Sequence, residues 1–131
     1  MILAVALTAC SKPPVEEPLT TKKLGEFYPG DISKVDSIVI VDGETGRRKV
    51  FTDKQEVQDW INQVKDMEFV PDPNQEGRSG FLYAVTLREK GEDKMGFSPN
   101  AAGGHYYIHN EELRIKIEEL FENGEYLRTS Y

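Results

Sequence analysis

The sequence predicts a single α+β domain: a twisted, mainly antiparallel sheet with two amphipathic helices on one face. Three observations lead there. Several runs are β-branched, or alternate apolar with polar residues at a period of two, as strands do. The links between them are short and glycine-rich, which favours antiparallel pairing. Two other segments each carry one apolar stripe at helical spacing, and such a stripe needs a sheet face to cover. A chain of 131 residues allows one domain of ordinary size. With 38% hydrophobic residues it can build a core and is too apolar for wholesale disorder.

The expected order is ββαββββα. Residues 35–41 (VDSIVIV) are β-branched and nearly all apolar, the composition of a central strand. The turn chemistry of residues 42–46 (DGETG) sends the chain back through a second strand at 47–51. Thr52 and Asp53 are alternative N-caps, with Gln55 and Glu56 completing the capping-box pattern. The helix that follows puts Val57, Trp60, Ile61, Val64 and Met67 on one stripe, with Lys, Gln, Asp and Asn opposite. Residues 68–70 form a short strand ended by Pro71. Phe81, Tyr83, Val85 and Leu87 alternate with Leu82, Ala84, Thr86 and Arg88, the clearest period-two strand in the chain. The turn at 91–93 leads back into a strand at 94–98, and after a loop at 99–104 a last short strand spans 105–108. Asn110 caps a final helix with Leu113, Ile117, Leu120 and Phe121 on one face and Gly124 as its stop.

Charge and cysteine content narrow the partners. Sixteen Lys and Arg against 23 Asp and Glu leave a net charge of −7. A nucleic acid therefore has no basic footprint to bind, and anionic headgroups repel the domain. No apolar run reaches the roughly 18 residues of a membrane-spanning helix. One cysteine, Cys10, excludes an internal disulfide and a cysteine-built zinc site.

That cysteine stands at an abrupt boundary. Residues 1–9 (MILAVALTA) are apolar throughout, Cys10 follows directly, and residues 11–18 (SKPPVEEP) are polar and Pro-rich. A short apolar stretch ending in small residues reads as an export signal, not as a fold element. Leu7-Thr8-Ala9-Cys10 resembles the lipobox of bacterial lipoproteins, and the plan resembles that of small cell-surface lipoproteins of Gram-positive bacteria. The resemblance covers this head of the chain. It implies that the Cys10 thiol is alkylated with diacylglycerol and that cleavage then makes Cys10 the first mature residue. The domain would be held by lipid on the extracytoplasmic face of the cell membrane. Each buried methylene contributes roughly 0.8 kcal/mol, and two acyl chains hold where one is reversible. Signals of that family begin with Lys or Arg, so a basic segment upstream of Met1 is expected. Residues 11–30 carry Pro13, Pro14, Pro18 and Pro29 and too few apolar groups to offset their ordering entropy. The expected division is a signal at 1–9, a lipid-anchored tether at 10–30 that begins to touch the domain at Phe27 and Tyr28, and a globular domain at 31–131.

Several constellations imitate chemistry and stop short of it. His105 and His109 have the spacing that chelates zinc on a helix. The residues between them read as strand, which would set the rings about 13 Å apart, too far for one ion. Residues 72–77 (DPNQEG) match the opening of an EF-hand loop, but Tyr83 stands where the bidentate glutamate belongs. Ser98 lies in a GFSPN segment that lacks the second glycine of a nucleophile elbow, and Pro99 blocks the helix that should follow. Glu111 and Glu112 complement the dipole of the last helix, while Glu118, Glu119 and Glu122 form its solvated face. The chain is therefore read as non-enzymatic, with no cofactor and no metal site.

What remains is a long loop at 71–80 carrying Arg78, and the adjacent Tyr106 and Tyr107. On a strand these two face opposite ways, one under a helix and one outward. Tyr and Arg are enriched among protein-binding anchors, so Arg78, Tyr106 and Tyr107 are the candidate partner contacts. The expected function is that of a membrane-anchored extracytoplasmic lipoprotein binding a protein or envelope component. The alternative is an accessory lipoprotein that binds a small ligand or metal ion through the 72–76 loop or His105.

Overall fold

The computed structural model describes residues 18–77 and 80–124. In chain order the strands are β1 (Lys22–Lys23), β2 (Ser37–Asp42), β3 (Arg48–Phe51), β4 (Glu68–Phe69), β5 (Tyr83–Glu89), β6 (Glu92–Ser98), β7 (Ala101–Ala102) and β8 (His105–Tyr106). Helix α1 (Lys54–Val64) separates β3 from β4, and α2 (Glu111–Asn123) follows β8. Two short 3-10 turns, Leu24–Phe27 and Ile32–Lys34, lie between β1 and β2. Six strands form one sheet in the order β3-β2-β5-β6-β7-β8, each antiparallel to its neighbours, and β1 pairs with β4 in a small second sheet. This is the α+β architecture the sequence predicts.

Side-chain alternation decides which face receives the helices. Ile38 sits opposite Phe51 and Leu87, Ile40 opposite Val85, and Val85 opposite Phe97. All of these are buried, and they share one cluster with Val57, Trp60, Ile61 and Val64 of α1 and Leu113, Ile117, Leu120 and Phe121 of α2. Both helices therefore cover the same face. Asp53 is the cap of α1, its carboxylate accepting from the Gln55 and Glu56 amides. The Asn110 side chain accepts from Leu113 N at 2.9 Å and starts α2. Trp60 Nε1 donates to the Lys116 carbonyl at 2.9 Å, tying the helices together.

One charged side chain enters this core. Lys49 lies opposite Ile40, is 7% exposed, and its Nζ donates to the Phe121 carbonyl at 2.6 Å. It also stands 4.3 Å from the centre of the Phe121 ring. A cation at the last turn of a helix meets unsatisfied carbonyls and the negative end of the helix dipole, and here an aromatic face as well.

The folded chain differs from the sequence reading in several places; α1 ends at Val64, so Met67 lies beyond it, and β8 stops at Tyr106. The fold begins before residue 31: Leu24 and Tyr28 are buried, Leu24 N donates to the Met67 carbonyl and Gly25 N to that of Lys65, both at 2.8 Å. Phe27 stands edge-on to Phe69 and Tyr107. The second part of the expected tether thus belongs to the domain, because its few apolar side chains all find core partners. The loop at 99–104 contains β7, through which β8 joins the sheet. Phe81 and Leu82 precede β5, although Gly43 N still donates to the Leu82 carbonyl at 2.8 Å in register with the β2–β5 ladder. The β5–β6 turn is Lys90–Gly91, both with positive φ (50° and 82°), and Asp36 Oδ2 accepts the Lys90 amide at 3.1 Å.

Candidate functional site

With both helices on one side, the other face of the sheet is left to whatever the loops provide. On that face the register sets Val39 opposite Thr86, Thr86 opposite Gly96, Ser98 opposite Ala101 and Ala101 opposite Tyr106. These side chains are small near the middle and larger at the margin, so the surface is hollow. A cleft of about 490 Å³ lies there, its walls including Phe81, Ala84, Thr86, Gly96, Ser98 and Tyr106. Among the described residues that line it none is Asp, Glu, Lys or Arg.

Two local devices build its walls. Phe81 is held out beside the sheet by a close backbone approach. A Cβ on Gly43 would sit 1.7 Å from the Phe81 carbonyl oxygen, so only glycine permits the contact. The ring itself stays 48% exposed. On the other margin, the Gln75 side chain grips the β8 backbone. Its Oε1 accepts from Tyr106 N at 2.9 Å, and its Nε2 donates to the Tyr106 carbonyl at 2.7 Å. Ile108 N donates to the Val70 carbonyl at 2.7 Å, and Pro71 bridges Tyr107. The segment that resembles an EF-hand opening therefore covers the outer edge of the sheet, as an exposed strand edge requires. Asp72 and Asn74 spend side-chain oxygens on the Asn74 and Glu76 amides, at 2.9 and 3.0 Å.

Inside the cleft, Ser98 is 8% exposed and its Oγ donates to Asn100 Oδ1 at 3.0 Å. That bond orients the Asn100 amide and leaves its Nδ2 without a partner among the described residues; the Thr86 hydroxyl is in the same position.

The sequence-derived candidates separate here. Tyr106 faces the cleft. Tyr107 faces the core, 2% exposed, with its ring edge-on to Phe69, and burial raises its phenol above the ordinary value. It offers nothing to a partner. Arg78 and the Leu7–Cys10 motif lie outside the described residues. His105 stands at the cleft rim, and His109 Nε2 contacts Glu111 Oε1 at 2.9 Å beside the start of α2. Among the described residues no three His, Cys, Asp or Glu side chains gather as a metal-binding group.

Comparison with protein-family models, with curated proteins and with solved structures returns no match. The cleft therefore stands on its own geometry. Sequence reasoning missed Phe81 and the hollow beside it, although Ala84, Thr86, Gly96 and Ser98 at period two were a visible sign of a sheet face with little to bury.

Proposed function

We propose that this chain is a membrane-anchored extracytoplasmic lipoprotein whose domain binds a component of the cell envelope through the helix-free face of its sheet. The anchoring part is carried by one observation, the run Leu7-Thr8-Ala9-Cys10 between an apolar head and a Pro-rich polar segment. Among the described residues no helix is long and apolar enough to cross a membrane. The acidic domain's own charge opposes adsorption to anionic headgroups, and a covalent lipid would offset that repulsion.

The binding part is supported by the cleft. Small-molecule sites are concave, mostly apolar and furnished with a few oriented polar groups. The walls around Phe81, Tyr106 and the Ser98–Asn100 pair have that make-up.

Fractionation of the native host tests the anchoring. After detergent phase separation of the membrane extract, the full chain is expected in the detergent phase and its Cys10→Ser variant in the aqueous phase. A Cys10→Ser chain that still partitions with the detergent contradicts acyl anchoring. The cleft is tested with the same unlipidated chain: isolated envelopes should retain it, and Ala84→Arg, which fills the cleft, should release it. Unchanged retention of Ala84→Arg would move the binding surface elsewhere.

A further inference from the structure

We infer that the cleft takes an uncharged, hydroxyl-bearing ring ligand, a neutral carbohydrate seated against Phe81. This rests on the reading of the helix-free face as the binding surface and adds the chemistry of what it binds.

Charge comes first. In a chain with 30% charged residues, no Asp, Glu, Lys or Arg is among the described residues lining the cleft. An ionic ligand would lose hydration there and meet no Asp, Glu, Lys or Arg among the described lining residues. A neutral ligand loses little by entering.

Two uncharged polar groups there, on Thr86 and Asn100, are uncommitted among the described residues. Thr86 Oγ1 can donate and accept, and Asn100 Nδ2 is turned free by the Ser98 bond to its oxygen. Hydroxyls on a ring are the complementary groups. The apolar part matches as well. The Phe81 ring, 48% exposed, presents a flat face of negative electrostatic character, and the C–H bonds on one side of a pyranose are its fitting partner.

An extended peptide is disfavoured by the same geometry. The cleft lies on the face of the sheet, where β6 spends its main-chain groups on β5 and β7. A peptide laid there finds no free ladder for its own amides, which is the main source of affinity in strand addition. A sugar ring needs none.

The test uses the full-length Cys10→Ser chain and two neutral probes, chitotriose and maltotriose, with trigalacturonic acid as the charged control. Titration calorimetry and backbone amide shifts are the readouts. At least one neutral trisaccharide should bind saturably, shifting amides of residues 84–86 and 96–101, and the charged one should not. Phe81→Ala should weaken binding about tenfold with the circular dichroism spectrum unchanged. Thr86→Val, nearly isosteric, should weaken it several-fold. Absence of binding by both neutral sugars at millimolar concentration overturns the inference. So does equal binding of trigalacturonic acid, or a Phe81→Ala chain that binds normally. If Ala84→Arg releases the chain from envelopes while neither neutral sugar binds, the carbohydrate assignment fails and the binding face stands. If Ala84→Arg changes nothing, the binding face fails with it.

Discussion

Gly43 sits in an exposed turn, where a glycine is usually replaceable, yet its Cα lies against the main chain of Phe81. Gly43→Ala must push the 80–82 segment away. It should lower unfolding stability by about 1–3 kcal/mol, as overpacking does, measured by urea denaturation. It should also weaken any ligand that leans on Phe81. A second residue-scale prediction concerns Lys49, whose stem is buried and whose ammonium satisfies the carbonyl of Phe121. Lys49→Met keeps the stem and removes the charge-assisted bond, which should cost about 1–3 kcal/mol in the same assay. Trp60→Ala removes a 5%-exposed ring and its bond to the Lys116 carbonyl, and should cost about 3–5 kcal/mol. A loss below about 1 kcal/mol would mean the ring contributes little to the core.

At the scale of elements, the start of α2 couples folding to pH. Arg114 donates to both Glu111 carboxylate oxygens at 2.8 Å, and His109 contacts Oε1 at 2.9 Å. Hydrogen bonding from Arg114 first, then from His109, pulls the Glu111 carboxyl from 4.5 down to about 2. The folded chain therefore binds fewer protons at this site than the unfolded chain between those two values. The stabilisation is complete above pH 4.5 and is lost as pH falls toward 2. Glu111→Gln should flatten the stability–pH curve between about pH 2 and 4.5, read by denaturation at a series of pH values. The elements themselves were legible where the pattern is long. The β-branched run of β2, the alternation of β5 and the stripes of α1 and α2 each extend over enough residues to declare a period. The two-residue strands β1 and β7 have no period; β1 exists because Phe69 offers a partner distant in sequence, and β7 because the chain turns back on the end of β6. That one of Tyr106 and Tyr107 turns outward was legible, and which of the two was not. The inward turn of Tyr107 depends on its bridge to Pro71, a pairing no local pattern encodes. Phe81 read as the first residue of β5, which begins two residues later at Tyr83.

For the whole molecule, the division of labour follows from placing both helices on one face. That face holds the core, and the opposite one is free to carry a cleft without loss of stability. Under the proposed anchoring at Cys10, the domain would present at the membrane a 490 Å³ cleft with no Asp, Glu, Lys or Arg among its described lining residues. Cys10→Ser should change location and leave the unfolding midpoint unaltered, since eleven residues separate Cys10 from β1. The central claim is that Cys10 bears lipid. Intact-mass spectrometry of the chain purified from its native host tests it most directly. The account predicts a species that starts at Cys10 and carries a diacylglyceryl group, and an unmodified thiol with residues 1–9 still attached would contradict it.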